Sequence, residues 1–458
     1  MKLRTLAFLG LIGAMAPLSA GETYQPSHGA VVPVSWNEAS CDCGEAVCGC
    51  EAVCEPACEP ECGCEAGCDS PCDAPGGCCL LGGGGGGGDE GCFGSCFAGG
   101  SCLTGCGGDL GDPYALFGEC NGISAGGWLQ LGYHSQNGGS RFNDNADGVR
   151  LHQAWLYAEK VADGSNGLGI GGRIDYVYGI DGPDTQAFGP DDDSWDQGWD
   201  HGGSYGHAIP QLYGEVAYGD LSIKAGHFYT IIGYEVVTAP DNFFYSHAYT
   251  MYNNEPFTHT GFLASYALGD SLTAFGGYTF GWDSGFEDNG DNFLGGASVG
   301  LSEDITVTYA TTIGRFNTNT GVGGGVEQGY MHSLVTDVTL TDSLQWVGQY
   351  DQINTEDNAS GTKLRDGFAL VSYMIYSLND ATSVGSRFEY FHRNLDPIAG
   401  DTNIDVYNLT LGVNHRLHSN LIVRPEVRWD WDKNGDAGVN EGGDTAQTTF
   451  GMDAILTF

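Results

Sequence analysis

Residues 121–458 predict an all-β fold, a transmembrane antiparallel up-and-down β-barrel of about 16 strands, and three observations carry that prediction. Apolar and polar side chains alternate with period two through this part of the chain. The alternating runs mostly span ten to fourteen residues, where soluble strands are nearer about five or six and a tilted membrane strand needs about nine to eleven. The connections alternate between short and long, as expected of tight turns on one side of a membrane and loops on the other.

The strands are expected at about 124–134, 149–160, 167–179, 207–218, 221–230, 257–267, 271–282, 293–301, 304–315, 328–340, 343–353, 365–377, 380–393, 404–416, 419–431 and 446–458. Short connections fall at 162–166, 219–220, 269–270, 302–304, 341–342, 379–380 and 418–419. The others, at 135–148, 181–206, 231–256, 283–292, 316–327, 354–364, 394–403 and 432–445, are rich in Asp, Gly and Asn. An even strand number puts both barrel ends on the periplasmic side. Leu409, Leu411 and Val413 alternate with Asn408, Thr410, Gly412 and Asn414, and Phe450, Met452, Ala454, Leu456 and Phe458 alternate with Thr449, Asp453 and Thr457. A soluble β-sandwich also alternates, but long strands, alternating loop lengths and a terminal aromatic at Phe458 favour the barrel. In "LIVRPEVRWDWDKNGDAGVNE" (421–441), Val423, Val427, Trp429 and Trp431 are expected to face lipid, and Arg424, Glu426, Arg428 and Asp430 a wet lumen. Pro425 removes a ladder donor, so a bulge is expected there.

Ahead of the barrel, residues 1–20 form a signal peptide: Lys2 and Arg4, an apolar run from Leu6 to about Met15, and a cut near Ala20. Residues 21–120 are an acidic Cys/Gly-rich leader with 16 acidic residues and no Lys or Arg. All 17 Cys lie between Cys41 and Cys120. In an exported chain these are expected to form disulfides, with soft-metal binding at the Cys-x-Cys pairs as the alternative. Their odd number leaves one thiol free or linked to a neighbouring envelope protein. The leader would lie in the periplasm.

The formal net charge is -43, which excludes a nucleic-acid backbone as partner, since phosphates need cations. Residues 121–458 carry 43 acidic against 14 basic side chains, so a cation preference is expected of any pore they form. The third long connection, "IIGYEVVTAPDNFFYSHAYTMYNNEP" (231–256), carries many large apolar or aromatic residues, which suits a loop folded into the lumen better than one left in water.

"KAGHFYTIIGYEVVTAPDNFFYSHAYT" (224–250) and "FTHTGFLASYALGDSLTAFGGYTFGWD" (257–283) resemble β-barrel porin family 2, the OmpL-like outer-membrane porins. The resemblance covers most of 121–458 and implies a diffusion-type channel for small hydrophilic solutes or ions in outer-membrane lipid. The layout also resembles the general porins, which narrow their pore with an acidic inward loop facing basic wall residues. By that analogy the loop supplies Glu235, Asp241 and Glu255, and the wall Arg387, Arg416, Arg424 and Arg428, with Arg173 elsewhere. The alternative pairs these arginines with wall acids such as Glu389 and Glu426.

"DWDKNGDAGVNE" fits a calcium-loop spacing, with Asp430, Asp432, Asn434, Asp436 and Glu441 as oxygen ligands around Gly435, so Ca2+ in an outer loop is expected, against a merely acidic loop; no cofactor is required. A homotrimer and disulfide-linked envelope proteins are further expected partners. Three functions compete: a passive porin, a structural or adhesive envelope protein anchored by the barrel, and an outer-membrane hydrolase. The last ranks lowest, because the 12 His are scattered and no nucleophile elbow or metal triad is spelled.

Overall fold

A computed structural model describes residues 110–111, 113–117 and 121–458, except 138–141, 143–144, 188–194, 202–203, 287–290, 318–325, 395–402, 434–438 and 440–442. The leader cysteines and signal peptide therefore lie outside the described residues. Sixteen strands form one closed antiparallel barrel. They are β1 Ser124–His134, β2 Arg150–Lys160, β3 Leu168–Gly179, β4 Gly206–Tyr218, β5 Leu221–Tyr229, β6 Thr258–Ala267, β7 Leu272–Thr279, β8 Asn292–Ser302, β9 Ile305–Asn317, β10 Glu327–Thr341, β11 Leu344–Asp357, β12 Lys363–Asn379, β13 Thr382–Asn394, β14 Asn403–His418, β15 Leu421–Asp432 and β16 Ala446–Thr457. Each strand pairs with its neighbours in sequence, and β1 closes on β16 from Trp128↔Thr457 to His134↔Gly451. The expected strands all form, within a few residues at their ends.

The seven short connections are tight because their residues allow it. Gly219 and Gly269 take φ of +55° and +94°, a left-handed conformation that costs a residue with Cβ. Along the strands the alternation sorts side chains to two faces. Leu411, Phe450, Met452 and Leu456 are each 44–46% exposed on the outside, whereas Arg428, Asp453 and Asn408 point inward and are buried. Such an inverted distribution is unfavourable in water and favourable in lipid. Among the described residues no helix is long and apolar enough to cross a membrane, so crossing falls to the strands.

Pro425 does not make the expected bulge. On its β16 side the register is unbroken through Pro425↔Met452. On its β14 side the pairing lapses between Gly412↔Glu426 and His415↔Val423 and resumes in the same register. The missing N–H leaves a gap in the ladder, and the intact pairing with β16 prevents the insertion of an extra residue.

The apolar core lies inside the barrel, between its wall and the connection from β5 to β6. That connection carries a 3-10 turn, Ala239–Asp241, and helix α2, Tyr249–Asn254; a shorter helix α1, Gly182–Thr185, follows β3. The segment before β1 leaves at the short-turn end, where Asn420 in the β14–β15 turn accepts from the Tyr114 N–H at 2.6 Å and donates to its carbonyl at 2.8 Å.

Candidate functional site

The β5–β6 loop folds inward because its apolar side chains have a wall to cover. Tyr234, Val237, Phe243, Phe244, Tyr245 and Met251 are all buried, each contributing roughly 1.5–3 kcal/mol relative to exposure. Wall glycines make room for three consecutive aromatics. A Cβ on Gly385 of β13 would lie 2.5 Å from Phe243, one on Gly412 of β14 3.1 Å from Phe244, and one on Gly451 of β16 3.1 Å from Tyr245. Gly132 of β1 supports the hydroxyl end of the same tyrosine.

Irregular backbone inside a barrel has lost water as a partner and needs others. The charged face of β15 supplies them. Arg424 donates to the carbonyls of Ala239 and Asn242, Glu426 accepts the N–H groups of Tyr245 and Ser246 at 3.0 and 3.1 Å, and Arg428 donates to the His247 carbonyl. β13 continues the pattern. Arg387 donates to the Ser246 carbonyl at 2.6 Å, and Glu389 accepts the N–H groups of Tyr249 and Thr250 at 2.7 and 2.8 Å. The strands thus read the loop's main chain with alternating donors and acceptors.

The sequence-predicted residues meet different surroundings. Glu235 meets Arg387 directly at 2.6 Å. Burial opposes its charge, but the Arg387 guanidinium and the neighbouring His247 outweigh it and hold the carboxyl at about 2. Arg424 and Arg428 pair with wall acids, Asp453 and Asp430, at 2.6 and 2.9 Å. Arg387, Arg424 and Arg428 are 0, 2 and 1% exposed, so they lie beneath the loop instead of facing it across a gap. Asp241 stays exposed on the 3-10 turn and accepts the Thr238 hydroxyl; its place within the barrel raises its carboxyl by desolvation, against that hydrogen bond and the fields of Arg173 and Arg424. Arg173 is held by Glu159 and Asp175 at 3.1 and 2.6 Å. Glu255 is buried and accepts from Gln349 at 2.7 Å; burial, and then the nearby Asp351, push its carboxyl well up. Arg416, near the short-turn end of β14, makes no ion pair among the described residues.

Of the expected calcium ligands, Asn434, Asp436 and Glu441 lie outside the described residues. Asp430 accepts from both Arg428 and Asn408, which turns it into the barrel. Among the described residues no three His, Cys, Asp or Glu side chains gather as a metal cluster.

Sequence reading missed a buried relay at the loop tip. The Tyr245 hydroxyl lies 2.6 Å from His152 Nε2 and 3.2 Å from His134 Nδ1, and His152 Nδ1 lies 3.0 Å from Asp181. It also missed the wall glycines. No local signal in the sequence marks those glycines as docking positions.

An even-numbered, closed, up-and-down barrel with an oily exterior and a loop strapped inside its lumen defines the porin type of outer-membrane protein. The family model described as beta-barrel porin-2, OmpL-like, matches residues 122–458, and the chain belongs to that family. Outer-membrane expressed OmpT of Vibrio cholerae shares the fold at 15% identity, covering 74% of this chain and 99% of that one, with a TM-score of 0.50. The anion-selective porin of Comamonas acidovorans is similar at 11% identity over 73% and 99%, TM-score 0.49. The outer membrane channel DcaP of Acinetobacter baumannii is similar at 11% over 75% and 100%, TM-score 0.48. No curated protein matches the chain.

Proposed function

We propose that the chain is a passive diffusion channel for small hydrophilic solutes that prefers cations. One observation carries the preference: the loop's arginine partners are sealed and neutralised, while Asp241 presents an exposed carboxylate inside the barrel. A fixed anion in a narrow lumen favours cations over anions. Reversal potential in planar bilayers under a salt gradient tests this, and a clear anion preference refutes it.

A second reading, a barrel that anchors an envelope protein, draws support from the inward row Phe228, Leu263, Phe275, Leu294 and Met331. These are buried together with Ile231 and Ile232, so the start of the loop fills that side of the lumen. Stable ohmic steps support the channel, and their absence the anchor. A homotrimer and disulfide links through residues 21–120 belong to the proposal; electrophoresis of cross-linked protein with and without reductant checks both. So does Ca2+ binding by the 432–441 loop, which Asp436→Asn with Glu441→Gln should abolish in calorimetry.

A further inference from the structure

We infer that a hard divalent cation of the Ca2+ type binds beneath the C-terminal end of the inward loop, between Glu255 and Asp351 of β11. The site goes beyond the channel reading, because its presence is measured without conductance. It also differs from the outer loop at 432–441.

Glu255 and Asp351 are 4 and 0% exposed. Among the described residues neither forms an ion pair with a Lys, Arg or His. They lie close enough for one amide to bridge them: Gln349 Nε2 donates to Glu255 Oε1 at 2.7 Å and to Asp351 Oδ2 at 2.6 Å. The Thr250 hydroxyl donates to Asp351 Oδ2 at 2.6 Å, and Asn254 Nδ2 donates to that hydroxyl at 3.3 Å.

Around this pair two amide oxygens, Gln349 Oε1 and Asn254 Oδ1, are buried without a partner, and the Ser333 hydroxyl adds a further oxygen beside Asp351. Asn254, Gln349 and Ser333 are themselves 1, 4 and 1% exposed. Unpartnered buried oxygens beside uncompensated carboxylates are costly, and a cation relieves both at once. A proton shared between the carboxylates would neutralise one charge; a divalent ion neutralises two. The donors are all oxygens, two of them carboxylates, the hard set that suits Ca2+ with its six to eight ligands and not a soft or imidazole-seeking metal. Turning the Gln349 amide over replaces its NH2 with Oε1 between the same two carboxylates, adding a central donor.

The position gives the ion a role. Glu255 follows α2 directly, and Gly233, near the start of the loop, lies so close to Glu255 that a Cβ there would clash with its carboxylate. Gly233 has φ +87°, a conformation it holds without strain. The ion therefore holds the C-terminal end of the loop to β11, and the start of the loop packs against the same Glu255 carboxylate.

The test uses full-length protein purified in detergent, stripped with EDTA and titrated with CaCl2. Wild type should take up calcium and melt at higher temperature in its presence. Glu255→Gln with Asp351→Asn should take up one equivalent fewer and lose the calcium-dependent rise in melting temperature, while Asp436→Asn with Glu441→Gln, which removes only the outer-loop site, still takes up calcium and keeps that rise. Equal uptake by wild type and the Glu255/Asp351 variant overturns the site. So does a wild type that takes up no calcium, the outcome expected of a shared proton. Should the double variant not fold, terbium is added to the Asp436/Glu441 variant, with and without Glu255→Gln. Sensitised emission that Glu255→Gln reduces at least tenfold supports the site; emission unchanged by it, or absent, overturns it.

Discussion

Arg424, Glu426 and Arg428 show why one strand face carries both signs of charge: guanidinium groups satisfy carbonyls, and a carboxylate satisfies N–H groups. Removing either kind strands buried main-chain partners, at about 1–3 kcal/mol each. Glu426→Leu should therefore release the 245–246 segment while leaving the barrel closed, read as noisier and larger single-channel conductance with unchanged β signal in circular dichroism. Two further carboxyls set the loop's pH response in opposite senses. Asp283, after β7, accepts the Phe257 and Thr258 N–H groups at 2.6 and 3.0 Å, yet burial pushes its carboxyl up to about 6. A raised value means that the folded state holds the proton more tightly. The stability Asp283 lends is complete below the ordinary carboxylate range and falls as pH rises to about 6. Glu235, held at about 2, does the reverse: its contribution is complete above the ordinary range and is lost as pH falls towards 2. Melting temperature followed from pH 3 to pH 8 should lose part of its decline on rising pH in Asp283→Asn and part of its acid-side decline in Glu235→Gln.

The inward loop is an element docked by shape as well as by charge. Its aromatics occupy positions where the wall has no side chain. Gly385→Val should push Phe243 aside at about 1–3 kcal/mol, the usual cost of overfilling a packed site, and make the loop more open to protease. Gly276→Val of β7, where a Cβ meets nothing within 4 Å, should not. This contrast shows what was legible in the sequence. Strands could be read because period two is a local property, and the loop's inward fold because its aromatics have no place in water. Its docking could not, since a strand glycine reads only as a weak strand former until the opposing ring is placed. The same holds for charge. Nothing local to Arg387, Arg424 and Arg428 says that their partners are main-chain carbonyls on a segment about 140 to 185 residues away. Arg416, similar in sequence context, lies outside that set. Pro425 misled for a related reason: a missing donor was foreseen, but the pairing with β16 that holds the register is non-local.

Closure makes the barrel one cooperative object, down to its last residue: Phe458 donates to Gly127 and accepts from it, both at 2.9 Å, which finishes the seam between the first and last strands. Outside, the rings of Tyr390, Tyr407 and Trp431 stack in sequence across β13, β14 and β15, with neighbouring centroids 4.9 and 5.5 Å apart, forming an aromatic belt at the end of the barrel nearer the long loops. Inside such a shell, two sources of ion selectivity compete. The acid excess of residues 121–458 is spread over the barrel and its loops, so it acts through solvent and is screened within about 10 Å at 0.1 M salt. Asp241 acts from the inward loop, inside the barrel, where low-dielectric walls weaken screening. If the diffuse charge rules, Asp241→Asn should leave the cation-to-anion permeability ratio within error of wild type, and the ratio should collapse at 1 M salt. If Asp241 rules, the substitution should cut the ratio several-fold at both salt concentrations, and Arg173→Gln, which removes the opposing charge nearby, should raise it. We expect the second outcome, because the other loop carboxylates are already committed, Glu235 to Arg387 and Glu255 to Gln349, which leaves Asp241 as the exposed acid of the loop.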